Sequence, residues 1–201
     1  MNFLHKRKSQ NKLNKLFKKM KKVLPKSRYI HSVGVSYTAA SMAMKYGEDI
    51  ESAMTAGILH DCAKSYSGME LLAMCDKYGI VPSDAERLSP DLLHARIGSC
   101  LAKDKYKITD PSVLDAIAYH TTGKPDMTTL EKILYIADYI EPQRNKVSNL
   151  KEIRHLAFED LDECIIVVTE NTIKYLKDKK ADIDPVTQST LDFYKEKKAE
   201  K

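Results

Sequence analysis

The sequence predicts an all-α protein, a single helical bundle preceded by a basic amphipathic helix. Apolar residues recur three or four positions apart through most of the 201 residues. This is the spacing of one helix face, and no segment alternates as a half-buried strand does. Glycine and proline are scarce at seven each, and several of them fall at the ends of apolar segments. A chain of this length can bury a substantial core in one domain.

The first two predicted helices lie on either side of Pro25. Residues 1–26 form a basic arm, and residues 27–201 form the main domain. The apolar stripe of the arm comprises Leu13, Leu16, Phe17, Met20 and Leu24. The stripe of the second helix, which ends at Gly47, comprises Ile30, Val33, Tyr37, Ala40 and Met44. We expect the second stripe, with Met42, Met44 and Met54, to pack in the core.

Capping side chains and terminating residues set the later boundaries. Ser, Asp, Thr and Asn before an apolar segment predict N-caps, and glycine or proline after one predicts its end. The predicted N-caps are Ser67, Ser89, Asp110, Thr128 and Asn149. The predicted helices span residues 50–62, 68–78, 90–103, 111–122, 129–141, 149–179 and 186–198.

Charge is concentrated at one end of the chain. Residues 1–28 contain eleven Lys or Arg and no acidic residue, whereas the remainder has a net charge of −6. A nucleic-acid-binding domain would more commonly spread its basic residues over the folded surface. The arm could dock on the main domain or on a second subunit, or contact RNA or an anionic membrane surface.

The cysteines and the N-terminus predict a cytoplasmic protein. The four cysteines are isolated and form no Cys-x-x-Cys pair, which is typical of buried, reduced thiols. They are Cys62, Cys75, Cys100 and Cys164. The basic N-terminus lacks the apolar segment of a secretory signal.

A pair of titratable residues, His60 and Asp61, interrupts the apolar stretch "AGILHDCAK". Burying both without partners would be costly, so they form either a hydrogen-bonded core pair or part of a metal site. Other histidines and an aspartate lie in apolar segments of other predicted helices. These are His31, His94, His120 and Asp138. Imidazole and carboxylate together suit Fe, Mn or Zn.

The ordered set His…His-Asp…His…His…Asp resembles the HD-domain metal-dependent phosphohydrolases. More narrowly, "RYIHSVGV", "HDCAK" and "YHTTGKPDMTTLEKILYIADYIEPQR" resemble the bacterial YqeK-type symmetrical diadenosine-tetraphosphate hydrolases. The resemblance implies an all-helical fold, a bound iron, a homodimer and cleavage of diadenosine tetraphosphate into two ADP. Mn, Co or Zn are expected substitutes for iron. The expected metal site holds one or two ions.

The resemblance also implies roles for individual residues. The expected metal ligands are His31, His60, Asp61 and Asp138, with His94 and His120 as candidates for a second metal. The expected catalytic residues are Asp61, Lys64, His94 and His120. The residues expected to bind the nucleotide or its phosphates are Arg28, Asp61, Lys64, His94, His120, Thr121, Asp138, Arg144, Ala181, Asp182, Ile183, Asp184, Pro185 and Val186. The last six depart from the common "IHPxT" form, since Asp184 takes the place of the histidine.

The same residues are compatible with two other functions. An HD-domain phosphohydrolase could act on a mononucleotide or on a hyperphosphorylated guanosine, and a non-catalytic sensor could bind a nucleotide without cleaving it. The intact ligand set argues against a sensor, which has no need of activated water. No side chain in the sequence identifies an adenine or a guanine preference.

Overall fold

Helices account for all the regular structure in the described part of the chain, residues 3–145, 147 and 149–200 of a computed structural model, with side chains from Asn11 onward. The all-α prediction is therefore confirmed. The helices are α1 (Phe3–Val23), α2 (Lys26–Tyr46), α3 (Ile50–Leu59), α4 (Gly68–Tyr78), α5 (Asp84–Leu88), α6 (His94–Asp104), α7 (Pro111–Tyr119), α8 (Thr129–Ile140), α9 (Leu150–Leu156), α10 (Leu161–Asp178) and α11 (Pro185–Ala199). A 3-10 turn, Pro90–Leu93, precedes α6.

The centre of the bundle is the contact of α2 with α3 and α8, and α7 packs against α3, α6 and α8. Gly57 of α3 lies against the backbone of α2, where an added Cβ would come within 2.5 Å of the Ser36 Cα. Only glycine permits this close approach. It brings His31 of α2 near the end of α3, where His60 and Asp61 follow.

The basic arm docks on the main domain through its apolar stripe. Leu13, Leu16, Met20 and Leu24 are buried, and α1 packs on α3 and α2. The exposed side of this helix carries Lys12, Lys15, Lys18, Lys19, Lys21 and Lys22. No helix in the described residues is both long and apolar enough to cross a membrane.

The predicted core stripe of α2 is wrong in part. Ile30, Tyr37 and Met44 are 41%, 59% and 64% exposed. The buried face of α2 instead includes small and polar residues such as Ser32 and Ser36. Small side chains are needed there because α3 approaches so closely. Of the remaining core assignments, Cys100, Met54 and Val33 are half-buried.

Several boundaries also differ from the prediction. The helix predicted from residue 149 to 179 is two helices, because the Asp160 side chain accepts from the backbone N–H groups of Asp162 and Glu163 and starts α10. Helix α3 ends at Leu59 and α7 at Tyr119, so His60 and His120 follow their helices. Ser89 and Asn149 make no side-chain cap.

Other predicted caps are confirmed. Ser67 and Thr128 form capping boxes, and Asp110 accepts from the backbone N–H of Ser112. Helix α5 was not predicted, although Ser83 and Glu86 form a capping box at its start.

Candidate metal centre

Four imidazoles converge at one place in the bundle, and each has its Nδ1 nitrogen committed to an oxygen outside the cluster. His60 and His120 each donate Nδ1–H to the carbonyl three residues earlier, over 2.7 Å. His94 does the same to the Asp91 carbonyl. His31 instead donates to Oε1 of Glu141, over 3.0 Å. Because these oxygens accept, Nδ1 of each ring carries a hydrogen, and Nε2 is the atom that each ring directs into the cluster.

The inward nitrogens lie close together in pairs. The Nε2 atoms of His31 and His60 are 3.2 Å apart, and those of His94 and His120 are also 3.2 Å apart. Two ring nitrogens at this distance are stable only if a proton or a cation lies between or beside them. The arrangement fits a metal-binding cluster better than a hydrogen-bonded core pair.

Asp61 lies between the two pairs of imidazoles. Its Oδ2 is 3.3 Å from Nε2 of His60, and its Oδ1 is 3.4 Å from Nε2 of His94. The opposite oxygens of one carboxylate therefore face different pairs. Helix α3 ends at Leu59, so His60 and Asp61 lie in the turn that follows it.

Asp138 distinguishes the two sides of the cluster. Its Oδ1 is 2.9 Å from Nε2 of His31 and 3.7 Å from Nε2 of His60. We call His31, His60, Asp138 and Oδ2 of Asp61 the carboxylate half. His94, His120 and Oδ1 of Asp61 form the imidazole half.

The pKa shifts agree with this division. Burial alone would raise the pKa values of Asp61 and Asp138, but the imidazoles outweigh it and lower both; Arg144 adds to the effect on Asp138. Burial lowers the pKa of His94 to about 3, assisted by His120 and Lys64. Burial and His60 lower the pKa of His120 to about 4. At neutral pH the cluster thus offers two carboxylates and neutral His94 and His120 rings.

The donor atoms fit a divalent metal. Ligand atoms of His31, His60 and Asp138 lie within 4.8 Å of one another, and so do those of His60, Asp61 and His120. Imidazole nitrogen with carboxylate oxygen is a set suited to Fe, Mn, Co or Zn. Thiolate plays no part, because Cys62 is buried and donates its S–H to the Gly98 carbonyl.

Three cationic side chains stand beside the cluster. Arg28 is 2.8 Å from Oδ2 of Asp61, and Arg144 is 2.8 Å from Oδ1 of Asp138. Lys64 is 3.2 Å from Nδ1 of His94, a nitrogen whose proton is directed at the Asp91 carbonyl. The Lys64 ammonium is therefore available to bind an anion.

The loop before α11 lies at the outer edge of the imidazole half. A cavity of about 240 Å³ is lined by Asp184 and Val186 together with Thr121, Thr122, Tyr119 and Arg96 among others. Thr121 Oγ1 is 3.2 Å from Nε2 of His120, which joins this cavity to the cluster. Asp184 is buried and caps α11 by accepting from the Val186 N–H. The structure does not place Ala181, Asp182, Ile183 or Pro185 on the cavity wall.

Glu141 is the residue at this site that sequence reasoning missed. It lies in the segment "YIEPQR", where the proline that follows it predicts only the end of a helix. It is 1% exposed, and burial of an acidic side chain cannot be recognised from its residue type alone.

The comparisons with known proteins agree with this geometry. The family model of the HD domain matches residues 28–143. The symmetrical bis(5′-nucleosyl)-tetraphosphatase of Bacillus subtilis is 39% identical over 83% of this chain and 88% of its own length. That of Halalkalibacterium halodurans is 38% identical over 81% of this chain and 86% of its own length.

A solved structure is similarly close. It is a Clostridium acetobutylicum protein described as a predicted HD superfamily hydrolase involved in NAD metabolism, with a TM-score of 0.88 and 39% identity. The match covers 92% of this chain and 97% of that one. The chain belongs to the HD-domain family and, within it, to the group of the symmetrical bis(5′-nucleosyl)-tetraphosphatases.

Proposed function

We propose that this protein is a metal-dependent hydrolase that cleaves diadenosine tetraphosphate symmetrically into two ADP. The observation that carries the proposal is the cluster of inward-facing imidazoles and carboxylates flanked by Arg28, Lys64 and Arg144. A polyphosphate is strongly anionic, so phosphoryl transfer depends mainly on positioning and charge neutralisation. The 39% identity to the Bacillus enzyme supports the same substrate.

The proposed metal is iron, held by His31, His60, Asp61 and Asp138. A bound divalent metal supplies Lewis-acid chemistry, which polarises a phosphoryl oxygen and lowers the pKa of water. We assign the tighter metal site to the carboxylate half, because two carboxylates contribute there. The imidazole half binds a second metal more weakly, or the Lys64 ammonium beside it holds a phosphate.

The protein's own groups account for the remaining chemistry. Asp61 orients a water molecule toward a central phosphorus. The water oxygen forms the new bond as the phosphoanhydride bond on the other side breaks, and the water releases a proton to the solvent. ADP leaves as a phosphate anion, which needs little protonation. Lys64 acts as a point charge on the phosphates, whereas Arg28 and Arg144 can each bind two phosphate oxygens.

The nucleoside lies, in this proposal, toward the cavity beside Thr121, with Asp184 and Val186 of the segment 181–186 along one side. Asp184 and Val186 line that cavity, which supports the assignment. Thr121 would then donate its hydroxyl to a phosphate between the cluster and the nucleoside. The phosphates are thereby held on both sides of the bond that breaks.

A homodimer is the proposed assembly, and the cytoplasm the proposed location. Ile30, Tyr37 and Met44 lie seven residues apart and form an exposed apolar stripe on α2, which supports a self-complementary interface. A Tyr37→Glu variant should then be monomeric by light scattering. If the wild-type protein is itself a monomer, the proposed homodimer is wrong.

For the basic arm we propose contact with RNA rather than with a membrane. Insertion into a bilayer surface needs the apolar face of the helix, and that face is buried against α3. The exposed lysines can still neutralise phosphates. Changing Lys15, Lys18 and Lys22 to Glu should remove salt-sensitive RNA retention and leave hydrolysis intact. Equal retention by the variant would refute the contact.

The deciding experiment for the hydrolase is product identification. Iron-loaded protein is incubated with diadenosine tetraphosphate, and the nucleotides are separated by chromatography. ADP as the sole nucleotide product supports symmetrical cleavage. AMP with ATP would mean that the reacting phosphorus lies elsewhere in the tetraphosphate. No turnover with metal bound would favour another nucleotide substrate or a non-catalytic sensor.

A further inference from the structure

The His31 ring is oriented differently from the other three rings of the cluster. His60, His94 and His120 each donate Nδ1–H to a backbone carbonyl three residues earlier, so their own local backbone fixes them. His31 donates instead to a carboxylate 110 residues away in the chain. That carboxylate, Glu141, therefore determines both the tautomer and the ring orientation of His31.

Glu141 is itself held firmly. Its Oε2 accepts from the Gln143 N–H over 2.7 Å, while its own N–H caps α8 on the Ala137 carbonyl. Arg154 donates to the Glu141 carbonyl over 2.9 Å. The side chain is 1% exposed, so every oxygen of the carboxylate faces protein.

Gly34 provides the space for this carboxylate. A Cβ at position 34 would lie 2.4 Å from Oε2 of Glu141 and 3.3 Å from its Cδ. This glycine has no positive φ, so its absent side chain is explained by the carboxylate against it. Gly34 is one helical turn after His31, and the two residues enclose Glu141 between them.

We propose that Glu141 is a positioning residue that sets the metal affinity of the carboxylate half through His31, and that Gly34 exists to admit it. A carboxylate on the outer nitrogen of a ligating imidazole fixes the tautomer and raises the basicity of the inner nitrogen. It also ties α2 to the end of α8, the helix that carries Asp138. The inference rests on the proposed metal site.

The test measures metal affinity without turnover. Apoprotein is titrated with Co²⁺ against a chromophoric chelator, and the visible absorption of bound Co²⁺ is recorded. Glu141→Ala should lower the affinity about 10- to 100-fold and change the spectrum, because a less basic His31 alters the ligand field. Glu141→Gln keeps an acceptor oxygen of the same size and should recover part of the loss. Glu131→Gln, an equally buried carboxylate on α8 that pairs with Lys124, should leave both readouts unchanged.

Gly34 gives an independent variant that removes no polar group. Gly34→Ala should weaken Co²⁺ binding in the wild-type background and have little further effect in Glu141→Ala, where no carboxylate remains to be displaced. Wild-type affinity and spectrum in both Glu141 variants would overturn the inference. Failure of the wild-type protein to bind Co²⁺ would instead overturn the proposed metal site.

Discussion

The two halves of the cluster use the same ligand atom, Nε2 of histidine, in different electrostatic surroundings. In the carboxylate half, His31 and His60 face Asp138 and one oxygen of Asp61. In the imidazole half, His94 and His120 face the other oxygen of Asp61, with the Lys64 ammonium close behind His94. Similar rings therefore face different numbers of carboxylates, although Arg28 and Arg144 offset part of the negative charge in the carboxylate half.

This difference supports the proposed assignment of the tighter metal site to the carboxylate half. Two carboxylates stabilise a divalent metal, and their lowered pKa values keep them charged. In the imidazole half the Lys64 ammonium is the group that suits phosphate oxygens, because Nε2 of a neutral ring can only accept. Asp61 belongs to both halves, so in the proposed function it couples the metal to the site of the phosphate.

The largest effect is expected from Asp61, because its loss breaks both halves together. Asp61→Ala should reduce turnover of diadenosine tetraphosphate by about 10²–10⁴-fold or more. The initial rate of ADP formation, measured with metal content alongside, checks this. Asp76→Ala, an exposed aspartate on α4, is the control. Retained activity with metal bound would show that Asp61 does not orient the attacking water.

The next prediction separates the halves. Asp138→Asn should lose metal, since it removes one of only two carboxylates, whereas His94→Gln should keep the metal and lose turnover. Elemental analysis of both purified variants gives the metal content per chain. Equal metal loss in both would mean that the cluster binds metal as one unit.

The sequence predicts this cluster better than it predicts the packing around it. A metal site needs particular residue types, so the candidate ligands His31, His60 and Asp138 can be recognised from motifs. The buried face of α2 cannot be recognised in the same way, because a close helix contact selects small residues such as Ser36 over large apolar ones such as Tyr37.

Glu141 escapes recognition for a related reason. Its burial depends on Gly34 and His31, which are more than 100 residues away in the chain. The break between α9 and α10 is also hidden, since it contains no glycine or proline and is marked only by the Asp160 cap. Long-range packing determines these features, and local sequence patterns contain no information about it.

A smaller effect is expected from the cations beside the cluster. Lys64→Ala should raise the KM for diadenosine tetraphosphate about 10- to 100-fold, the range for a hydrogen bond to a charged group, and spare the metal. Arg144→Ala should raise the KM and also lower the metal content, because Arg144 also binds the carboxylate of Asp138. Steady-state kinetics with metal analysis distinguishes the two variants, with Lys45→Ala, an exposed lysine on α2, as control. An unchanged KM in Lys64→Ala would remove Lys64 from phosphate binding.

The smallest effect is expected at the outer edge of the imidazole half, where Asp184 both caps α11 and lines the cavity. Asp160 is a matched control, since it caps α10 by the same kind of hydrogen bond. Replacing either with Ala should lower the free energy of unfolding by about 1 kcal/mol, as measured by urea denaturation. Only Asp184→Ala should also change the KM, and by less than Lys64→Ala, because its contact is with the nucleoside end rather than with the phosphates. A KM unchanged in both variants would limit Asp184 to its structural role and place the nucleoside outside this cavity.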